Sequence, residues 1–536
     1  MYHSAEKVKN LLDSYPQYKD KLFCRGFLIT DCNNIDLKYF PFYGNWVSNE
    51  IAIDGNRVSI LTHRLTKCYI YHSDNSVHFL IGHAYNPYTM QYEEDKILSY
   101  LSDALENSVE DYWAKVSDLT GVFCIGYLNS KEIIFSTDCT GMQLVYYGSD
   151  GKNMFITSHS KLVADLRNFA QDDYVKRLVS SRFYHFWGTW LPGDLSPYKE
   201  LKRVQPNFAF SYCFGNGDFS FERYYPTEKI VEISGEQYND TISQIASVLE
   251  NSMKLIAKKW PNKRAAISVT GGRDSTMTLA AANGTYDDFC YFSYISNENE
   301  KPDAEAAHKI CDYLGLEHKI YKIPDNDKLY DELEAAKVIF ECNAGCIGTN
   351  NLNDVKKRLY FDKVDDFDVE VKSWVSELAR GEAQNKYNLR KFPAKPTPSW
   401  YRCMWKVVLS PGLIKESDRI FKEYLDKFYD EKVLSILPWT DLFYWEFSWS
   451  GGEGVFLTSE HKYSYDITIP CNNRKLLNTM FSIPLEDRIA NKVPIDVIHL
   501  KNRKIEEANV FVKNAAHTSF WEFGIRTYLK VFSKIK

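Results

Sequence analysis

The chain has 536 residues, of which 44% are hydrophobic and 25% charged, a length and mixture that suit two or three globular domains with sizeable cores. A net charge of −6 supplies no basic field for neutralising phosphates, so no nucleic-acid partner is expected. No apolar run approaches membrane-spanning length, residues Met1 to Lys7 show no signal-peptide pattern, and twelve scattered cysteines fit a reducing compartment; the expectation is a cytoplasmic protein without membrane contact.

In chain order, residues 1 to about 22 read as a polar helix. Short β-type runs follow: Phe27-Leu28-Ile29, Val58 to Leu61, Val77 to Ile81, Val122 to Ile125, Ile133 to Phe135 and Met154 to Ile156. Helical patterns at about 94–108 and 172–183 interrupt them, which predicts a layered α+β domain. A charged connector, Arg223 to Ser234, leads to an amphipathic helix from about Gln237 to Trp260. Beyond it, strand and helix signals alternate: Ala265-Ala266-Ile267, a glycine turn, Met277 to Ala282, then Phe289 to Tyr294, helix Asp303 to Leu314, and Lys319 to Ile323. That order predicts βαβ units and a doubly wound parallel sheet, with ligands at the carboxyl ends of the strands. The acidic run Asp362 to Glu370 reads as a solvated strand edge or turn. From about 397 the chain is helical and aromatic. Cys342 and Cys346, three residues apart without further ligands nearby, indicate neither a zinc site nor a disulfide framework.

The glycine turn carries the chemistry. In Ser268-Val269-Thr270-Gly271-Gly272-Arg273-Asp274-Ser275-Thr276, two glycines let the backbone approach an anion, and the free N–H groups of the following helix point at it. Asp274 places a carboxylate where a magnesium ion bound to phosphates would sit. Ordinary turn and helix-capping chemistry uses the same residue types.

Thr270-Gly271-Gly272-Arg273-Asp274-Ser275 resembles the SGGxDS pyrophosphate loop of N-type ATP pyrophosphatases, a group that includes asparagine, β-lactam and NAD synthetases and tRNA-thiolating enzymes. In the N-terminal half, Leu61-Thr62-His63-Arg64-Leu65 is similar to the HRRL stretch of class II glutamine amidotransferase domains, and Ile81-Gly82-His83-Ala84-Tyr85-Asn86 to their NGEIYN element. Leu119-Thr120-Gly121-Val122-Phe123 resembles LxGMFA; Thr137-Asp138-Cys139-Thr140-Gly141 through Tyr147 resembles RDxxGxxPLYY. The order is that of asparagine synthetase and its relatives. The resemblance implies an Ntn-type amidotransferase-like layered domain over residues 1–225. An α/β doubly wound parallel-sheet ATP-pyrophosphatase domain would follow over 226–536.

It also implies roles. ATP and Mg²⁺ would be bound, with Asp274 and Glu377 as metal ligands, and Ser268, Thr270, Gly271, Gly272, Ser275 and Ser293 on the nucleotide. Glu377 stands in the stretch Val369 to Leu378, which resembles the strand-end GxGADE motif with Ser373 and Val375 in place of its glycines and Trp374 on the substrate side. Asp303 falls where the family has its D…LG.H segment, although the larger part of its role is expected to be an N-cap. Ile467 to Asn473 resembles the RVPFLD turn, and Lys492 or Arg488 would face the departing pyrophosphate. The family's nucleophilic cysteine must be the first residue. Cys24-Arg25-Gly26-Phe27 resembles that start and would act only after loss of 23 residues, while Ile81 replaces an oxyanion donor. The expected activity is ATP-dependent amide formation from a small-molecule carboxylate and ammonia or an amine through an acyl-adenylate. The alternatives are a silent scaffold and a glutamine-hydrolysing synthase matured before Cys24. A homodimer is among the expected assemblies.

Overall fold

The computed structural model describes every residue except 1, 183, 185–187, 331, 349–350, 509, 511–518 and 535–536, and gives only the backbone of 519–523. Twelve strands make the N-terminal half: β1 Phe27–Thr30, β2 Trp46–Ile53, β3 Asn56–His63, β4 Cys68–His72, β5 Val77–Tyr85, β6 Thr120–Leu128, β7 Glu132–Thr137, β8 Tyr146–Ser149, β9 Met154–Thr157, β10 Leu201–Arg203, β11 Phe208–Cys213 and β12 Asp218–Arg223. They form two six-stranded antiparallel sheets, ordered β10-β8-β9-β1-β3-β2 and β12-β11-β7-β6-β5-β4.

Alternation along each strand stacks these sheets face to face. In β1, Phe27 and Ile29 point to the inner face and Leu28 to the outer one; in β6, Val122 and Cys124 point inward and Phe123 and Ile125 outward. The inner faces share one core. The outer face of the first sheet is covered by Val8 and Leu12 of helix Ala5–Ser14 and by Ile339 and Phe340 of helix Leu333–Asn343. Helices Glu94–Asn107 and Val109–Val116 cover the second through Leu98, Leu101, Tyr112 and Trp113. The result is a helix–sheet–sheet–helix sandwich. It explains why runs such as Val122 to Ile125 are apolar at every position: both faces are buried.

The second half is built on β13 Ala265–Ser268, β14 Phe289–Ile295, β15 His318–Lys322, β16 Val369–Val371 and β17 Asp466–Thr468, all parallel to their neighbours, in the order β15-β14-β13-β16-β17. The chain winds outward from β13 to β15 and then returns to add β16 and β17 on the other side. The order therefore reverses between β13 and β16. No described helix is long and apolar enough to cross a membrane.

Several sequence expectations change. The N-terminal helix ends at Ser14, and Pro16 starts a separate 3₁₀ turn, Pro16–Asp20. The acidic stretch ending at Glu370 is not solvated throughout: Glu370 lies buried in β16 at the middle of the parallel sheet, neutralised by Lys372 at 3.1 Å. Asp303 is not the N-cap of its helix, which spans Lys301–Tyr313 with Glu300 at the cap position.

The two halves meet at a polar joint made by the stretches that carry the amidotransferase and RVPFLD likenesses. The Asp138 carboxylate accepts the N–H groups of Met142 (2.9 Å) and Gln143 (2.6 Å), which shapes the turn. Asn472 donates to Asp138 Oδ1 (2.9 Å) and Gly121 O (2.7 Å) and accepts from Thr140 Oγ1 (2.8 Å). Arg474, fully buried, donates to Thr137 O (2.9 Å), Asp138 O (3.0 Å) and Asn207 Oδ1 (2.9 Å). Truncation would leave the buried Asn207 Oδ1 without its donor and take one donor from each of the two carbonyls. Arg474→Ala is expected to lower unfolding free energy by about 3 kcal/mol or more in urea titrations; a loss under about 1 kcal/mol would show that the joint does not depend on this side chain.

Candidate functional site

The parallel sheet places three strand ends around one crevice. Ser268 ends β13 in register with Phe292 of β14, and Ile267 lies beside Val371 at the end of β16. Loops leaving β13 and β16 diverge because the strand order reverses there, and a cleft of about 360 Å³ opens between them. Ser268, Thr270, Gly272, Asp274, Ser275, Ser293 and Glu377 line it. These residues were singled out from the sequence, and the fold brings them together.

The loop is braced from within. Ser275 Oγ accepts the N–H of Thr270 at 3.1 Å and lies 2.9 Å from Thr270 Oγ1 and 3.0 Å from Thr270 O, so this buried hydroxyl holds the loop closed. Gly272 occupies the N-cap of helix Arg273–Ala281 and offers no side-chain acceptor to the first turn, whose N–H groups lack partners in the helix ladder. A Cβ on Gly272 would meet only Thr270 Oγ1, at 3.2 Å; the space above the loop is open. Gly271 is buried beside Gly272, and Asp303 lines the cleft with a carboxyl that burial pushes above its ordinary range. The outer side of the loop has room for an anion.

On the β16 side, Val375 and Gly381, both at positive φ (82° and 67°), bracket the short turn Ser376–Arg380. A β-branched residue at positive φ is strained backbone, of the kind that gathers at sites. The turn carries three groups toward the loop. Ser376 donates to Asp274 Oδ1 at 2.6 Å, and Arg380 pairs with Asp274 Oδ2 at 3.0 Å. Glu377 projects a buried Oε2 without a partner; burial, then the Asp274 charge, push its carboxyl well above the ordinary range. Asp274 and Glu377 therefore share a pocket in which a divalent cation would supply what Glu377 lacks. Magnesium needs only one or two such carboxylates when phosphates complete its shell, so the residues fit Mg²⁺.

Beyond the carboxylates lie Lys372, 4.6 Å above the ring of Trp374, and Trp374 itself, edge-on to Trp449 (6.1 Å) and His461 (5.4 Å). Trp449 belongs to a π-helix, Phe443–Glu453, a geometry that often accompanies function. On the β14 side, Ser293 Oγ donates to Val269 O (2.6 Å) beside His318, which burial holds neutral by pushing it down to about 4.

Lys492 and Arg488 are not brought to the cleft. The Lys492 ammonium lies 3.8 Å from the Tyr238 ring centroid and 3.6 Å from Asp487. Arg488 is buried and donates to Ile483 O (3.0 Å) and Ala379 O (3.2 Å), which ties its helix to the Ser376–Arg380 turn. Lys372, which lines the cleft, and Arg380, which reaches it through Asp274, escaped the sequence reading. Arg380 carried one usable signal, its position three residues after Glu377.

In the N-terminal half, Cys24 is buried between Phe23 and Arg25, both at positive φ, and burial pushes its thiol up. Ile81 lies in the shared core between the sheets. Arg64 grips the carboxylate of Asp20 with two nitrogens. A second cleft, about 690 Å³, lies between the halves beside Arg64, and His83 within it faces Asp466 at 3.7 Å.

No protein-family profile matches this chain, and no curated protein matches it. Among solved structures, one described as the allosteric regulatory enzyme of purine biosynthesis is similar over 54% of this chain at 11% identity with a TM-score of 0.24. The glutamine phosphoribosylpyrophosphate amidotransferase of B. subtilis, complexed with ADP and GMP, is similar over 54% at 10% identity with a TM-score of 0.22. This chain spans 63% of the length of each. Scores this low add no weight to a functional reading, which rests on the site itself.

Gly272→Ala fits the backbone (φ −83°) and its Cβ meets one side-chain atom, Thr270 Oγ1, which must give by a few tenths of an ångström, so its melting temperature is expected to fall by no more than about 4 °C. Its methyl group would intrude where phosphate approaches the loop, and nucleoside triphosphate affinity is expected to fall roughly tenfold by calorimetry. Unchanged affinity would remove the loop from the binding site.

Proposed function

We propose that this protein is an ATP-dependent amide-forming ligase similar to asparagine and β-lactam synthetases, with the β13–β16 crevice as its adenylating site. The observation that carries the reading is the seating of Asp274 and Glu377 in one cleft with the glycine loop, at the point where the strand order reverses. The reaction joins a carboxylate oxygen to the α-phosphorus of ATP, releases pyrophosphate, and then exchanges AMP for an amine or ammonia at the acyl carbon.

Each group of the chain has work suited to its position. Asp274 and Glu377 would hold Mg²⁺, which when bound supplies charge neutralisation for the phosphates. The first-turn N–H groups after Gly272 receive the β- and γ-phosphates, and Ser275 keeps the loop in shape for them. Ser268 and Ser293 lie at the strand ends where the adenine side would rest. Lys372, while paired with Glu370, stands at the cleft where the incoming carboxylate would arrive, with Trp374 and Trp449 forming an apolar wall. Such catalysis is mostly positioning and electrostatics, so no nucleophilic side chain is required.

The N-terminal sandwich serves in this reading as a platform without glutaminase activity. Removing residues up to Phe23 would strip Val8, Leu12, Tyr18, Leu22 and Phe23 from a packed core, which weighs against maturation at Cys24. A silent scaffold is favoured by one observation, the Arg380 guanidinium seated on Asp274.

Carboxylate-dependent ATP–pyrophosphate exchange separates the readings. The ligase is expected to exchange with at least one acid in a panel of amino, sugar and peptide carboxylates, and Asp274→Ala to lose at least about 100-fold of that rate. Equal inertness of both proteins toward every acid would favour the scaffold.

A further inference from the structure

The Arg380 contact has a second consequence, one that rests on the ligase reading and concerns how metal enters its site. Asp274 Oδ2 cannot at the same time hold a guanidinium at 3.0 Å and a divalent cation, because the two positive charges would sit against each other. Ser376 occupies the other oxygen at 2.6 Å, so the Arg380 contact is the one that has to give way. The backbone beneath Arg380 is fixed. Gly381 has φ +67°, and a Cβ there would stand 2.8 Å from Ile489 Cγ1, so the turn is pressed against helix Leu485–Ile489. The side chain is held far less firmly. Its buried Nε has no partner, and Asp274 supplies its ion pair.

We propose that Arg380 is a tethered cation that neutralises Asp274 in the metal-free protein and moves to the nucleotide phosphates when a divalent ion takes its place. The planar guanidinium suits this exchange, since it presents the same two-nitrogen fork to a carboxylate and to a phosphate. Asp274 lines the cleft where the phosphates would arrive, so the displaced guanidinium starts one contact away from them. Two properties follow. Metal alone binds weakly, because it must displace Arg380 without giving it a new partner. Metal with nucleotide binds tightly, because the phosphates accept the displaced guanidinium. Arg380 would then stand beside the departing pyrophosphate, the position that neither Lys492 nor Arg488 reaches.

The test is Mn²⁺ binding to the full chain, followed by electron paramagnetic resonance with and without ATP, for wild type, Arg380→Gln and Arg380→Lys. Arg380→Gln is expected to bind Mn²⁺ alone roughly tenfold more tightly than wild type and to bind Mn²⁺–ATP more weakly. Arg380→Lys keeps the charge and is expected to keep the weak nucleotide-free binding, which a merely structural role would not predict. Circular dichroism establishes that each variant is folded; if Arg380→Gln is not, tight nucleotide-free binding by Arg380→Lys overturns the proposal by itself. Unchanged Mn²⁺ affinity in Arg380→Gln, with Mn²⁺–ATP still bound by wild type, overturns the role of Arg380 and leaves the ligase reading standing. Failure of wild type to bind Mn²⁺–ATP overturns both.

Discussion

The site depends on a topological constraint. In a parallel sheet, each strand hands the chain to a connection at its carboxyl end, and neighbouring connections normally pass over the same face. Between β13 and β16 they pass over opposite faces, because the chain builds outward to β15 before returning. The crevice is what remains between the diverging loops. Its two walls carry different groups: a glycine loop with free helix N–H groups after β13, and a turn bearing Ser376, Glu377 and Arg380 after β16. Neither wall makes a site alone.

The rest of the molecule holds those walls in place. Arg488 ties the Ser376–Arg380 turn through Ala379 O, and the Asp138–Asn472–Arg474 joint fixes the segment after β17 against the N-terminal sandwich. Helix Leu333–Asn343 belongs to the second half in sequence, yet covers the outer face of the first sheet. The hydrophobic core accordingly runs from one half into the other without a break. In this light the stretches that resemble amidotransferase signatures have a structural duty that needs no glutamine chemistry. Asp138 shapes a turn and docks a neighbour, and Glu94 pairs with Lys259 at 2.5 Å.

Much of this was legible because the signals are local. A Gly-Gly turn between an apolar run and a helix start lies within a dozen residues, and the parallel sheet followed from strand–helix alternation around it. Strands β1, β5 and β6 were readable as continuous apolar runs because both of their faces are covered. The edge strands β2, β4 and β12 were not, since their exposed residues dilute the pattern. Glu370 was misread because burial of a carboxylate depends on partners, and Arg358 and the strands on either side of Glu370 become neighbours only in the fold. Arg380 and Lys492 fail in opposite directions for the same reason. Proximity in sequence offered only the nearness of Glu377 for the first, whose partner lies far back along the chain, and too much for the second, which turns toward Tyr238.

The central claim is that one crevice, between β13 and β16, receives ATP with its α-phosphorus toward the Lys372–Trp374 side. A crystal structure with Mg²⁺ and a non-hydrolysable ATP analogue tests it most directly. The account predicts the terminal phosphates on the backbone N–H groups after Gly272, the metal between Asp274 and Glu377, and the α-phosphate facing Lys372. Nucleotide bound in the cleft beside Arg64, or seated at the loop with its terminal phosphates toward Lys372, would contradict it.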